Sequence, residues 1–309
     1  MRFFLIPILL VYVSTSFADV MRVTILGSGT PRPDINRFSQ SILVEADGEK
    51  LLFDAGRGST IRLTQARVNI GDISNIFLTH LHSDHTLGVP DMIMTGWIYQ
   101  RNNVLNIYGP KGTKKFIDNI KLAFKEDIKI RVAPPENHSM RGLKTNVLEI
   151  KEGVVFHKKD LKVIAFDVNH GGGVQHAYGY KIIYKNKSVV ISGDTNYSNN
   201  LVKYAKDCDL LIHEIADAPK KLISENPKIR GLMNYHTTPE EMIRVIENAN
   251  PRYTILTHIL ALGGTTPENI LSFIKSNIDN KFEVETAYDL MAIDIQERIH
   301  TYSIDYKND

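Results

Sequence analysis

Residues 79–88 read Thr-His-Leu-His-Ser-Asp-His-Thr-Leu-Gly, and His80, His82, Asp84 and His85 fall within six of those positions. Neutral imidazole nitrogens and carboxylate oxygens are the ligands that a borderline cation such as Zn2+ takes. The preceding run, Ile73 to Thr79, turns almost wholly apolar and predicts a buried strand that stops at the first histidine. Residues two apart on an extended backbone point the same way, so His80 and His82 can reach one metal together. Asp84 and His85, past a turn, can serve a second. A polar loop that is merely rich in histidine is the plainer alternative. Four ligand-type residues at the end of an apolar strand weigh against it.

His-x-His-x-Asp-His resembles the signature of the metallo-β-lactamase superfamily of dinuclear hydrolases. Matches to the family's later ligand segments follow in order: Val168-Asn-His170, Ser192-Gly-Asp194-Thr and Leu256-Thr-His258. The similarity runs from about Val23 to about Ile295. It is strongest to the branch that holds ribonuclease Z and the exported arylsulfatase-like hydrolases. The marks of that branch are Leu26-Gly-Ser-Gly-Thr-Pro31, Leu52-Phe-Asp-Ala-Gly56, Ile212-His-Glu-Ile215 and Tyr235-His-Thr-Thr238.

The resemblance implies an α/β fold, the four-layer αββα metallo-β-lactamase sandwich. It implies two Zn2+, with Mn2+ or Fe as alternatives. His80, His82 and His170 would hold the first metal; Asp84, His85 and His258 the second; Asp194 would bridge. A metal-bridging hydroxide would then attack an ester, and Asp84 would double as proton acceptor. His236 matches the ribonuclease Z histidine that serves the leaving group, Glu214 the carboxylate that orients it, and Asp54 a carboxylate that orients a metal histidine. Arg57 would line the substrate mouth, with a solvated surface arginine as the equal alternative. Taken singly, three of these residues have plainer readings. Asp194 could cap a helix starting near Tyr197, His170 could sit in a turn before Gly171, and His258 could be a satisfied core histidine.

These groups need rigid elements to carry them. Strand-like runs at Val23–Leu26, Ser41–Glu45, Leu51–Asp54 and Val104–Tyr108 alternate with helical stripes at Ser59–Ala66, Leu87–Gln100 and Thr113–Glu126. Residues 128–192 read mostly as strands, with Pro134–Thr145 as a loop. Glu240–Asn248 and Pro267–Ile278 read as helices flanking a strand at Tyr253–Thr257. Apolar content of 43% fits one substantial core, and the single cysteine, Cys208, excludes an intrachain disulfide. Residues 1–18 read as a signal peptide: Arg2, an apolar Phe3–Val13 and a Ser16-Phe-Ala18 cleavage site. An uncleaved anchor is the rival reading. Residues 19–309 form the hydrolase domain.

Two features bear on the substrate. Ribonuclease Z carries a long arm between the third segment and the Asp segment. Here that interval, Ala177 to Asp194, is a strand–turn–strand whose tip is Lys185-Asn186-Lys187. The net charge is +2, and no basic cluster advertises nucleic acid. With the export signal, these favour an exported, periplasmic or secreted arylsulfatase-like hydrolase of sulfate or phosphate esters. Its expected partner is a small anionic ester, not nucleic acid. Stable membrane association is not expected after signal removal, and a homodimer is allowed. The alternative is a ribonuclease Z-like phosphodiesterase acting in tRNA 3′ processing. A non-enzymatic metal-binding module comes behind both.

Overall fold

Alternation along the strands sorts apolar residues onto two faces. In β1 (Met21–Gly27), Met21, Val23 and Ile25 enter one core while Leu26 enters another. The computed structural model describes residues 20–306, so the signal segment expected at residues 1–18 lies outside the described residues.

The first sheet has eight strands in the order β15-β14-β1-β2-β3-β4-β5-β6. Its members after β1 are β2 (Ser41–Ala46), β3 (Glu49–Phe53), β4 (Asn75–Phe77), β5 (Leu105–Gly109), β6 (Thr145–Glu149), β14 (Met291–Ile295) and β15 (Ile299–Ser303). The second sheet has seven, ordered β13-β12-β11-β10-β9-β8-β7. They are β7 (Gly153–Lys158), β8 (Leu161–Val168), β9 (Ala177–Tyr184), β10 (Lys187–Ile191), β11 (Leu210–Asp217), β12 (Tyr253–Ala261) and β13 (Glu283–Thr286). The sheets face each other across one core, in which Val23, Phe53 and Phe77 meet Tyr180, Val189 and Ile212.

Helices cover both outer faces. On the first sheet, α1 (Ser59–Gln65), the single-turn α2 (Ser83–Thr86), α3 (Val89–Ile98) and α4 (Thr113–Ala123) lie outermost, and Leu63, Met92, Trp97 and Ile117 pack on Leu43, Ile76 and Ile107. Past α5 (Lys125–Val132), α6 (Asn199–Ala205), α7 (Lys220–Glu225), α8 (Pro227–Met233), α9 (Pro239–Ala249) and α10 (Pro267–Asn277) belong to the second half. There Leu201, Met242, Val245 and Ile270 pack on Val190, Leu211 and Leu256. The architecture is the four-layer αββα sandwich. Each fully buried side chain of this size contributes roughly 1.5–3 kcal/mol.

One expected element is corrected, one segment that carried no expectation is filled, and one alternative reading is set aside. Residues 125–132 form α5, where strand was expected from residue 128; none of its side chains is fully buried, so it carries no strong apolar stripe for pattern reading to find. The segment 220–233 forms α7 and α8, held by the Asn226 side chain, which accepts from Lys228 N and Ile229 N. Asp194 caps nothing, because Ser198 caps α6 by accepting from Leu201 N. Among the described residues no helix is long and apolar enough to cross a membrane.

β3, β4 and β5 run parallel, as do β10, β11 and β12. Their C-terminal ends give one rim on which the ligand-type residues collect.

Candidate metal centre

Each segment at that rim releases its side chain by a break in regular structure. β4 stops at Phe77, and the next residues turn into α2, which holds Asp84 and His85. Asp54 follows β3 directly and takes a left-handed backbone, φ 56°. Asp194 follows Gly193, which has φ 61° and meets Thr79 and the Tyr178 carbonyl so closely that no Cβ fits. His258 sits inside β12. Pairing runs Glu214–Thr257 and then Ile215–Ile259, so His258 is the extra residue of a β-bulge, with φ 43°. A bulge re-aims a side chain at the cost of local pairing.

The result is a ring of nitrogens around one oxygen. Asp194 Oδ2 lies 3.4 Å from His85 Nε2 and 3.4 Å from His258 Nε2. It lies 3.9 Å from both His80 Nε2 and His170 Nε2. His82 Nδ1 faces His170 Nε2 at 3.2 Å, and Asp84 Oδ2 faces His258 Nε2 at 3.0 Å. Two nitrogens each about 2.1 Å from a tetrahedral metal stand roughly 3.4 Å apart. The spacing therefore suits shared cations. His80, His82 and His170 form one compact group, and Asp84, His85 and His258 another. Among the described residues the buried Nε2 atoms of His80 and His85 have no hydrogen-bond partner. Orphaned buried nitrogens aimed at a common carboxylate are what a divalent metal would satisfy.

The electrostatics divide the histidines. Burial, then the neighbouring His85, hold His80 well below its ordinary pKa. Burial also lowers His82 and His170, more than Asp194 raises them. These three are neutral and ready to ligate. His85 differs: burial lowers it, but the Asp194 and Asp54 carboxylates outweigh that and hold it well above. Asp194 would be raised by burial, yet His258 and His85 bring it well below the usual carboxylate range.

Two carboxylates stand behind this ring. Asp54 Oδ2 accepts from His85 Nδ1 at 2.7 Å and from Thr79 Oγ1 at 2.8 Å, and Asp54 Oδ1 takes the Thr79 N–H at 2.8 Å. The His85 ring is thereby fixed with Nε2 inward. Glu214 Oε2 meets His236 Nδ1 at 3.2 Å. Glu214 Oε1 accepts the main-chain N–H groups of Thr237 at 2.9 Å and Thr195 at 3.2 Å. A nitrogen of His236 lies within 4.8 Å of ligand-type atoms of both His170 and Asp194. Burial would lower the His236 pKa, but Glu214 above all raises it to about 9. Arg57 follows Gly56, which packs against the Asp84 main chain. It is exposed on a small cleft with Pro33, Phe38 and Ser39, whose lining holds none of the ligand-type residues.

The anchor of the Gly27–Pro33 loop leaves no mark in the sequence. Asp289 accepts from Ser28 N, Ser28 Oγ and Phe38 N, and pairs with buried Arg62 at 2.9 Å. No local motif announces it, since Arg62 and Asp289 are 227 residues apart.

A family model described as a β-lactamase superfamily domain matches residues 49–259. The chain belongs to the metallo-β-lactamase superfamily. Within the superfamily, ribonuclease Z of Mycolicibacterium gilvum (strain PYR-GCK) is 33% identical, covering 77% of this chain and 84% of that protein. Ribonuclease Z of Methanosarcina acetivorans is 28% identical, covering 90% and 99%. Human tRNase Z, short form, is 25% identical with TM-score 0.65, covering 89% and 100%. A metallo-β-lactamase fold protein from Bacillus subtilis aligns with TM-score 0.67 at 19% identity, a likeness of fold. This superfamily member is a metal-dependent hydrolase of the ribonuclease Z branch.

The comparisons overturn the substrate expectation. The arylsulfatase-like reading, with a small anionic ester as partner and nucleic acid set aside, gives way to relatives named for cutting RNA. Two features of the chain point away from RNA without excluding it. The hairpin between β9 and β10 does have only two turn residues, Lys185 and Asn186, but an appended arm is separable from the core that carries the resemblance. A net charge of +2 is a sum over the whole chain and does not report local fields.

Proposed function

We propose that the chain is a metal-dependent phosphodiesterase that cuts RNA endonucleolytically, with precursor tRNA as its substrate class. The observation that carries this reading is the Glu214–His236 pair beside the Asp194 cluster, in a chain whose curated relatives are ribonuclease Z.

His80, His82 and His170 would hold one divalent cation, Asp84, His85 and His258 a second, and Asp194 would lie between them. Zinc suits this imidazole and carboxylate set. When bound, such cations lower the pKa of water and offset charge on a phosphate under attack. The protein's own groups handle the protons. Asp84 turns Oδ2 to His258, and its Oδ1, which makes no hydrogen bond among the described residues, can take a proton from the attacking water. His236 stays protonated against Glu214 and donates to the departing oxygen from the ring nitrogen that Glu214 does not hold.

The test is incubation of purified, metal-loaded protein with a precursor tRNA carrying a 3′ trailer. Cleavage at the end of the acceptor stem is the expected result. Turnover of aryl sulfates with no cut in any RNA would overturn the proposal.

A further inference from the structure

A cleft of about 460 Å³ opens directly beside His82. Three loops wall it: Leu81 and His82 after β4, Pro110–Gly112 between β5 and α4, and Val174–His176 before β9. Its volume falls in the range of small-molecule pockets, roughly 300–1,000 Å³.

The wall chemistry is mixed in a definite way. Leu81 sits between two histidines of the metal group, and on an extended backbone its side chain points away from theirs. It is 36% exposed. Gly112 lets it lie flat: a Cβ there would come within 3.2 Å of Leu81 Cδ1, and φ is 104°. Leu81, Pro110 and Val174 thus give the cleft aliphatic faces. Gln175 brings an amide with both a donor and an acceptor. Lys111 and His176 are exposed at its edge, and among the described residues Lys111 has no ion-pair partner. The nearby α4 N-terminus is already taken, since Glu149 accepts from Gly112 N and Lys114 N.

The geometry points to a nucleotide subsite: the cleft takes the base next to the scissile phosphate between Leu81, Pro110 and Val174, with Gln175 on its edge and Lys111 on the following phosphate. This rests on the RNA reading above. Splayed bases of single-stranded RNA are held by burial of their flat faces and by hydrogen bonds to their edges, and the backbone by lysine.

The experiment measures binding of fluorescent 2′-O-methyl oligoribonucleotides spanning the cut site, intact or abasic at one flanking nucleotide. Wild-type protein is expected to lose about tenfold in affinity for the abasic strand, the worth of roughly 50–60 Å² of base face taken from water against these aliphatic side chains. Gln175→Ala and Val174→Asp should bind the intact strand about tenfold more weakly and lose most of the abasic penalty. Lys111→Ala should weaken binding and flatten its salt dependence. Both Gln175 and Lys111 are exposed, so those two variants should fold; circular dichroism checks all three. Variants that bind as wild type, or keep the full abasic penalty, overturn the subsite while wild-type RNA cleavage stands. A wild-type protein that neither binds nor cuts RNA overturns the subsite and the RNA reading together.

Discussion

Glu214 grips both His236 and the chain that carries it: one carboxylate oxygen meets Nδ1 of His236 at 3.2 Å, and the other takes the N–H of Thr237 at 2.9 Å. The imidazolium is therefore stabilised and oriented by a single buried side chain.

Replacing that charge should move a pH profile. His236 must be protonated to donate, so turnover falls on the alkaline side as it loses its proton. Glu214 is what raises its pKa to about 9 against burial. Glu214→Gln should shift the alkaline limb of kcat to lower pH. His236→Ala should lower kcat by about 10²–10⁴-fold for RNA, and far less for nitrophenyl phosphodiesters, whose leaving oxygen needs no proton. An equal defect across leaving groups would show that His236 positions substrate instead.

Metal uptake should release protons. In the metal-free protein His85 is held protonated: burial lowers its pKa, but Asp194 and Asp54 together raise it well above the ordinary value. Ligation at Nε2 removes that proton, so apparent metal affinity should climb with pH until the raised pKa is passed. Calorimetric titration with zinc in two buffers of different ionisation enthalpy reads this directly. Heats that do not depend on the buffer would contradict it.

Asp54 is a positioning residue, and its backbone separates two substitutions. At φ 56° an asparagine is tolerated, whereas alanine adds strain. Asp54→Asn should fold normally yet bind metal about 10–100-fold more weakly, because His85 Nδ1 loses its carboxylate. Asp54→Ala should lose stability as well. Competition with a chromogenic chelator measures the first effect and urea melts the second. Unchanged zinc affinity in Asp54→Asn would sink the assignment.

The Arg62–Asp289 pair should matter to stability far more than a surface pair. Both side chains are under 10% exposed, at 9% and 3%. Asp289→Ala leaves Arg62 charged and buried and frees three donors of the 28–38 loop, a loss of about 3–5 kcal/mol. Equilibrium urea denaturation checks it. A loss below about 1 kcal/mol would mean that the pair behaves as if solvated.

What the sequence reveals depends on how local the chemistry is. His80, His82, Asp84 and His85 are legible together because one strand end and one turn hold them all. His170, Asp194 and His258 lie on three other segments, and only their order in a familiar pattern picks them out. His258 is the hardest, because it lies among apolar residues in a strand whose alternation it breaks. The sandwich is legible from stripes of Ile, Leu and Val, whereas α5 and α7 bury no side chain fully and leave only weak stripes. The substrate is least legible, because neither a short β9–β10 hairpin nor a summed charge of +2 describes the surface around the metal site.

The bulge at His258 gives β12 something like a reading frame. Before it, Tyr253 and Ile255 face the inter-sheet core and Leu256 faces the helices; after it, odd-numbered Ile259 faces the helices. Deleting one residue anywhere between 256 and 259 would restore regular pairing with β11 and put Ile259 back in phase, yet remove the loop of backbone that turns an imidazole inward. A scaffold engineer who copied the seven ligand-type side chains onto straight strands would obtain a sound sheet with one nitrogen facing the wrong way. The irregular residue, not the regular strand around it, is the part that must be transplanted.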